Sequence, residues 1–306
     1  MPEIAVLLCT CDRPQRLALL LAALLPQAEE LDACVVIVDN GLRSSEQVVR
    51  DVMPPGRFTY RRLNERGLVV ARNCALQLAM DQKPVLLAFI DDDEVPDRHW
   101  LHNLRRRMDE AQADMVNGPV MPDFMEAPPP WAGAGSFYEK SGHTPCTSNL
   151  MLRASCLPDD PAQWFLPAFN FSGGEDNEFL NRLLQRGAAR AVAGDAIVHE
   201  AIPADRLRRR YVWQRGLRDG VVISEIAALS HQSRLRFFRH VAWRAVQKLG
   251  YACNHLFWSP AEPWRLISAG ADLAAACGIV LRASGMRFHF HGPRPAPRQH
   301  ADQASR

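Results

Sequence analysis

The stretch VLLAFIDDDEVP, Val85 to Pro96, sets an apolar run, Val85 to Ile90, directly against three consecutive carboxylates, Asp91, Asp92 and Asp93, with Glu94 behind them. The apolar half predicts a buried strand, and the acids mark where it reaches the surface. Adjacent carboxylates repel one another, and partial burial makes that repulsion costly unless a cation compensates it. Side chains alternate along an extended chain, so the spacing predicts Asp91 and Asp93 on one side and Asp92 on the other. Such a D-x-D pair suits a hard divalent ion, Mn²⁺ or Mg²⁺, and that ion in turn suits a diphosphate. A solvated acidic turn ahead of a helix starting near Asp97 accounts for the same residues without a ligand.

Outward from this stretch, strand signals at Ile4 to Thr10, Cys34 to Asp39, Phe58 to Leu63 and Met115 to Val120 alternate with helical ones. The helices are expected at Pro14 to Leu25, Ser45 to Val52, Leu68 to Met80 and Asp97 to Glu110. This alternation predicts an α/β fold, a Rossmann-like, mainly parallel sheet with helices on both faces. Ligands on such sheets gather at the carboxyl ends of the strands. Thr10 to Arg13, Asp39 to Gly41 and Asp91 to Asp93 each follow a strand and are expected to share one rim. From Met121 to Pro145 the pattern gives way to a loop containing Pro128, Pro129 and Pro130. Thr147 to Arg153 reads as a further strand, and short strands are expected around Ala188 to Val192 and Ala196 to Val198.

At 306 residues and 47% hydrophobic, the chain can bury one large α/β core and carry an extension. Its net charge of +2 is small, yet Arg206, Arg208, Arg209, Arg210, Arg215 and Arg218 crowd together, followed by Arg234, Arg236, Arg239, Arg244 and Lys248. That local excess points to an anionic neighbour, either phosphate or a membrane surface. No nucleic-acid motif accompanies it, so no nucleic-acid partner is expected. The eight cysteines form no C-x-x-C pair and read as small buried hydrophobes in a reducing compartment.

Met1 to Thr10 lacks a basic start, and Leu17, Leu20, Leu21, Leu24 and Leu25 recur at helical spacing, so no cleaved leader is expected. Beyond His199 the chain reads as amphipathic helices, Arg206 to Ala228, Ser233 to Asn254 and Trp264 to Ala283. The apolar core of the last, Leu266 to Leu281, contains Asp272 and falls short of the ~20 residues that cross a bilayer. Interfacial docking through Trp243, Phe257, Trp258 and Trp264 and packing onto the main domain both stay open. The division expected is an α/β domain over 1–204, an Arg-rich helical extension over 205–290 and a disordered tail over 291–306.

A second acidic pair, Glu175 and Asp176, opens a helix after Gly173 and Gly174. Acids there are favoured by the helix dipole as caps, and a carboxylate held ionised at that place also suits a general base. Trp131 offers an aromatic face for stacking, or simply packs its loop.

Five fragments now stand in order: T-C-D-R-P ending at Pro14, V-I-V-D-N-G over Val36 to Gly41, G-L-V-V-A-R-N over Gly67 to Asn73, F-I-D-D-D-E-V-P, and G-G-E-D-N-E-F. Together they resemble family 2 glycosyltransferases, including bacterial exopolysaccharide-type sugar transferases, over roughly the first two hundred residues. The resemblance implies a nucleotide-diphospho-sugar transferase fold of the A type (GT-A) and an inverting, metal-dependent hexosyl transfer. Thr10, Asp39 and Arg72 would hold the nucleoside, with Asp39 aimed at the base and Arg13 close by. Asp93 would be the principal metal ligand, assisted by Asp91, with Asp92 beside the ribose or diphosphate. Asp176 falls where the family keeps its catalytic base, with Glu175 as neighbour. His199, in A-I-V-H-E, stands where some relatives place a further metal or diphosphate contact; a surface histidine is the rival reading. Asn149 and Trp131 lie where acceptor contacts are expected.

The expected donor is a nucleotide-diphospho-sugar, with uridine the first guess, and the expected acceptor a saccharide, lipid-linked, in surface-polysaccharide assembly. A cytoplasmic site, peripheral on the inner face of the membrane, fits that acceptor. Two alternatives remain: a sugar-phosphate nucleotidyltransferase, disfavoured because C-T-C-D-R-P replaces a Gly-rich basic loop, and a non-catalytic saccharide- or membrane-binding subunit. The Q-x-x-R-W motif of processive synthases is absent, with only Trp213, Gln214 and Arg215 nearby, so processive synthesis is not expected.

Overall fold

The structure, a computed structural model, describes residues 2–231, 233–286, 288 and 290; the tail expected over 291–306 lies outside the described residues. The first half alternates β1 (Ile4–Thr10), α1 (Pro14–Glu30), β2 (Cys34–Asp39), α2 (Glu46–Val52), β3 (Phe58–Arg62), α3 (Leu68–Met80) and β4 (Leu86–Phe89). These strands pair in the order β3-β2-β1-β4, all parallel. Period-2 alternation assigns each strand residue to a helix layer. Ile4, Val6 and Leu8 face Leu17, Leu20, Leu21 and Leu24 of α1, whereas Ala5 and Leu7 face Val69, Ala75 and Leu76 of α3. Each of those α1 leucines is fully buried and contributes roughly 2 kcal/mol.

The second half departs from a purely parallel pattern. It runs β5 (Glu94–Pro96), α4 (Trp100–Glu110), β6 (Met115–Asn117), β7 (Val120–Phe124), α5 (Pro130–Ala134), β8 (Leu150–Arg153), α6 (Glu175–Gln185), β9 (Arg190–Val192) and β10 (Val198–Ile202). Strand β8 lies antiparallel between β4 and β6, and β9 closes the seven-stranded sheet in the order β3-β2-β1-β4-β8-β6-β9. A second sheet, β5-β10-β7, stands beside it. The single strand expected over Met115 to Val120 is therefore two strands in two sheets. They part at Gly118, where a Cβ would overlap the Ala196 carbonyl and the Asn149 amide. Asn149 pins this junction: its Nδ2 donates to Pro119 O and Ala196 O, and its Oδ1 accepts from Trp100 Nε1 at 2.7 Å.

Three long helices follow: α7 (Arg209–Ser230), α8 (Arg234–Trp258) and α9 (Arg265–Ala283). Helices α7 and α9 meet through small residues. A Cβ on Gly216 would overlap the Ala271 carbonyl, one on Gly220 the Ala275 carbonyl, and one on Gly278 the Leu217 carbonyl, so side-chain-free positions permit a backbone-close crossing. This G-x-x-x-G spacing was legible in the sequence but went unread. The helices also lock onto the sheet-bearing half, because Val222 of α7 fills the space a Cβ would need on Gly174, a residue held at φ +86.

Helix α9 corrects one expectation. Among the described residues it is the one helix long and apolar enough to cross a membrane, although only 33% of its apolar window is buried. Its buried residues, including Ile267, Ala275 and Ile279, belong to the packing seams with α7 and α8. Helix α8 buries only Val241, Ala245 and Ala252, and it exposes Leu235, Phe238, Val246, Leu249, Leu256 and Phe257 along one face.

Candidate active site

The carboxyl ends of β1, β2 and β4 meet at a cavity of 520 Å³, as the topology requires. Its acidic wall is Asp91, Asp92 and Asp93. The chain turns there, with Glu94 N donating to Asp91 O at 3.1 Å, so the residues are not extended and Asp92 does not point away. All three carboxylates line the same cavity, which corrects the alternation expected from the sequence.

Each acid has its own partners. Asp92 is largely consumed by protein: it accepts from Thr10 Oγ1 at 2.9 Å, Cys11 N at 3.2 Å and Arg13 Nη1 at 2.8 Å. Asp93 pairs with Arg13 at 3.0 Å and Arg206 at 3.4 Å. Asp91 keeps 43% of its side chain exposed toward the cavity and meets Arg72 at 3.4 Å. Semi-enclosure pushes the Asp91 carboxyl up to about 6, against the pull of Arg72 and with a further push from Asp93. Around these acids stand seven basic side chains, Arg13, Arg66, Arg72, Lys140, Arg206, Arg215 and Arg218, against four acidic ones, the three aspartates and Glu200. The surplus is positive, which suits a polyanion such as a diphosphate.

The donor set also fits a divalent cation. Among the described residues no three His, Cys, Asp or Glu side chains converge as an all-protein cage. Mg²⁺-type sites do not need one, since one or two carboxylates with substrate phosphates and water complete the shell. Asp91 and Asp93, at the cavity wall, are the residues that would hold it.

Arg72 links this cavity to a second one. Buried on α3 over the Phe165 ring, it reaches Asp91 on one side and Glu175 at 3.1 Å on the other. It therefore sits between two acidic groups while lining the first cavity. Burial raises the Glu175 carboxyl, and Arg72 opposes that shift. Asp176, next on α6, lines an adjoining cavity of 790 Å³ that shares Asp91, Lys140, Arg215 and Arg218 with the first. Gly173 and Gly174, both at positive φ, form the turn that presents Glu175 and Asp176 at the helix start.

Other expected residues stand elsewhere. Asp39 is fully buried: its Oδ1 accepts from Gly41 N, and its Oδ2 from Ser45 N and the Tyr60 hydroxyl, so it braces the loop after β2. Its neighbour Asn40 lines the cavity. Asn149 is wholly buried in the junction described above, which removes it from any acceptor surface. Trp131 packs edge-on against Phe137 at 5.5 Å in a separate aromatic cluster. His199 bonds Asp97 at 3.0 Å on the face of β10 away from the acids.

Glu200, one residue along β10, lines the cavity instead and pairs with Arg206 at 2.8 Å and Lys140 at 3.2 Å. Strand alternation makes a one-residue choice decisive. Lys140, from the loop before β8, was not anticipated, since nothing in Y-E-K-S-G-H marks it. It nonetheless lines both cavities, and Glu200 and Glu94 hold its ammonium above the ordinary lysine range despite burial. Of the arginines that crowd together after Arg206, Arg215 lines both cavities, while Arg209 and Arg210 are exposed.

The family model described as "Glycosyl transferase family 2" matches residues 5–156, which hold β1 through β8 and the acidic turn. The succinoglycan biosynthesis protein ExoM of Rhizobium meliloti is 28% identical over 228 residues, covering 69% of this chain and 71% of that protein. Among solved structures, S. aureus TarS 1-349 aligns at a TM-score of 0.52 with 14% identity, covering 94% of this chain and 93% of that one. The mannosyltransferase PcManGT of Pyrobaculum calidifontis, in complex with GDP-Man and Mn²⁺, aligns at 0.58 with 16% identity, covering 92% and 87%. These two likenesses carry the fold, a GT-A sheet with helices on both faces. The matched family and the placement of its fragments around one rim carry the rest: the chain is a glycosyltransferase and belongs to glycosyl transferase family 2.

Proposed function

We propose that this enzyme moves a hexose from a nucleotide-diphospho-sugar to a lipid-linked saccharide, with inversion and with a divalent cation, during assembly of a surface polysaccharide. The observation that carries this reading is the junction of the two cavities. An acidic turn with surplus cations opens at Asp91 onto a second chamber where Asp176 stands. One chamber suits the donor diphosphate and the other the acceptor. Support for the metal and the nucleotide comes from PcManGT, described with GDP-Man and Mn²⁺, and from TarS, described with UDP. Support for polysaccharide assembly comes from ExoM, a succinoglycan biosynthesis protein.

In this mechanism Asp176 takes the proton of the acceptor hydroxyl as its oxygen forms a bond to the anomeric carbon. The bond from that carbon to the phosphate oxygen breaks, and the electron pair leaves with the nucleoside diphosphate. Attack and departure on opposite faces invert the configuration, so one base suffices. Arg13, Arg206, Arg215 and Lys140 line the space for the departing charge. Asp91 and Asp93 would hold a divalent cation, which when bound would supply Lewis-acid stabilisation of the same diphosphate. Arg72 pairs with Glu175 at 3.1 Å and fixes it beside Asp176. Screening nucleotide sugars with Mn²⁺ or Mg²⁺ tests the reading: one donor is expected to yield free nucleoside diphosphate and, with acceptor, a product of inverted anomeric configuration. Retained configuration contradicts it.

The lipid half rests on α8. Leu235 is 69% exposed and Phe257 74%, on the same face as Phe238, Val246 and Leu249, with exposed Arg234, Arg236 and Arg239 alongside. An apolar stripe with flanking cations matches an anionic bilayer surface. Flotation with phosphatidylglycerol-containing vesicles at low salt is expected to carry the protein upward, and Phe238→Glu with Phe257→Glu is expected to abolish this. Protein that stays at the bottom with the native sequence contradicts lipid docking.

A further inference from the structure

The second cavity has two chemically different ends. At one stand Glu175 and Asp176; at the other stand His231, which caps α7, and His240 and Arg244 of α8. Along α7 the wall between them is apolar, formed by Val222, Ile223, Ile226 and Ala227, and Asn181 and Gln185 of α6 stand in the same lining. Val222 abuts Gly174 at the acidic end, and His231 lies nine positions further on, roughly 13 Å along α7. That length leaves room for a short saccharide lying along an apolar wall.

The basic end is arranged for an anion. The His231 and His240 rings lie 5.0 Å apart, tilted by 54°, and among the described residues no protein group hydrogen-bonds either ring. Arg244, one helical turn beyond His240, faces the same cavity. Three cationic or protonatable groups so close together repel one another, and His240 is held below its ordinary value by burial, His231 and Arg244. A bound anion reverses that penalty. Asp219 also lines the cavity, but it pairs with Arg218 at 3.8 Å, toward the other end. A single carboxylate needs one guanidinium fork, whereas two imidazoles and a guanidinium together match a group with several acceptor oxygens.

Resting on the transferase reading above, we infer that His231, His240 and Arg244 form a subsite for the phosphoryl group at the reducing end of the acceptor, while its attacking hydroxyl lies at Asp176. The cavity is then a ruler. It selects acceptors whose saccharide spans the distance from the anion subsite to the base. Residues His240 and Arg244 lie on the other side of α8 from its exposed apolar stripe, so a lipid attached to that phosphate has the stripe within reach around the helix.

The test uses the full chain without metal, with the ten histidine imidazoles observed by NMR and His231 and His240 assigned through His231→Gln and His240→Gln. Inorganic pyrophosphate is expected to move both signals saturably and raise their titration midpoints, and Arg244→Gln is expected to weaken that binding by roughly tenfold or more. Methyl glucuronide, a carboxylate probe, is expected to leave both signals still. Signals unmoved by pyrophosphate, moved equally in Arg244→Gln, or moved by the glucuronide alone would overturn the inference. UDP binding with Mn²⁺, followed by calorimetry on the same variants, is expected to be unchanged. It tests the transferase reading separately, because its loss in the native protein leaves the histidine response readable, and the reverse holds too.

Discussion

Asp176→Asn is expected to lower kcat for sugar transfer by roughly 10²- to 10⁴-fold, the span a positioned general base contributes, with donor affinity little changed. Asparagine keeps the volume and accepts the same bond from Asn177 N, so α6 retains its first turn. What disappears is a basic oxygen facing the acceptor cavity. UDP binding measured on the same preparation separates loss of chemistry from loss of fold. Transfer at an undiminished rate in Asp176→Asn removes this residue as the base and leaves Glu175, tied to Arg72, as its nearest replacement.

The second large effect is expected at Asp93. Replacement by Asn preserves shape but removes one carboxylate from the acidic turn, where Arg13 and Arg206 already counter the charge. Loss even of a supporting partner around a metal costs 10- to 100-fold in affinity, so a direct ligand is expected to cost at least roughly that much. Thermal denaturation reads this without an acceptor. At a UDP concentration one hundred times the native Kd, with Mn²⁺ present, the native chain gains about 2.7 kcal/mol; a hundredfold weakening leaves about 0.4 kcal/mol. Equal stabilisation of both proteins contradicts a metal role for Asp93.

Much of the fold was legible because single signals agreed at each level. Strand β1 was read to the residue, since Ile4 to Cys9 is apolar throughout and Arg13-Pro14 starts a helix at once. Helix α3 was read equally well, as Leu68 to Met80. The second sheet was not, because its strands are short: Glu94–Pro96 sits inside what reads as an acidic turn, and β7 hides in a loop containing proline.

Within the candidate site, the acidic turn and the Glu175–Asp176 pair are visible in the sequence because each is a local signal, charge after an apolar run in the first and acids after two glycines at a helix start in the second. Lys140 and Glu200 were missed because their significance is purely tertiary: each matters only through what the loop before β8 and strand β10 bring beside Asp91 and Asp93. Asp39, Asn149 and His199 were chosen as residue types able to bind, yet the fold spends the first two on its own backbone and turns the third outward. The G-x-x-x-G of α7 was visible, but only the facing carbonyls of α9 give it meaning.

The central claim is that a divalent cation at Asp91 and Asp93 joins the donor diphosphate to this protein. Isothermal titration of UDP into the native chain, with and without Mn²⁺, measures that directly. The account predicts tight binding with the cation and binding weaker by at least roughly tenfold when it is chelated away. Identical affinity in the two titrations would contradict it.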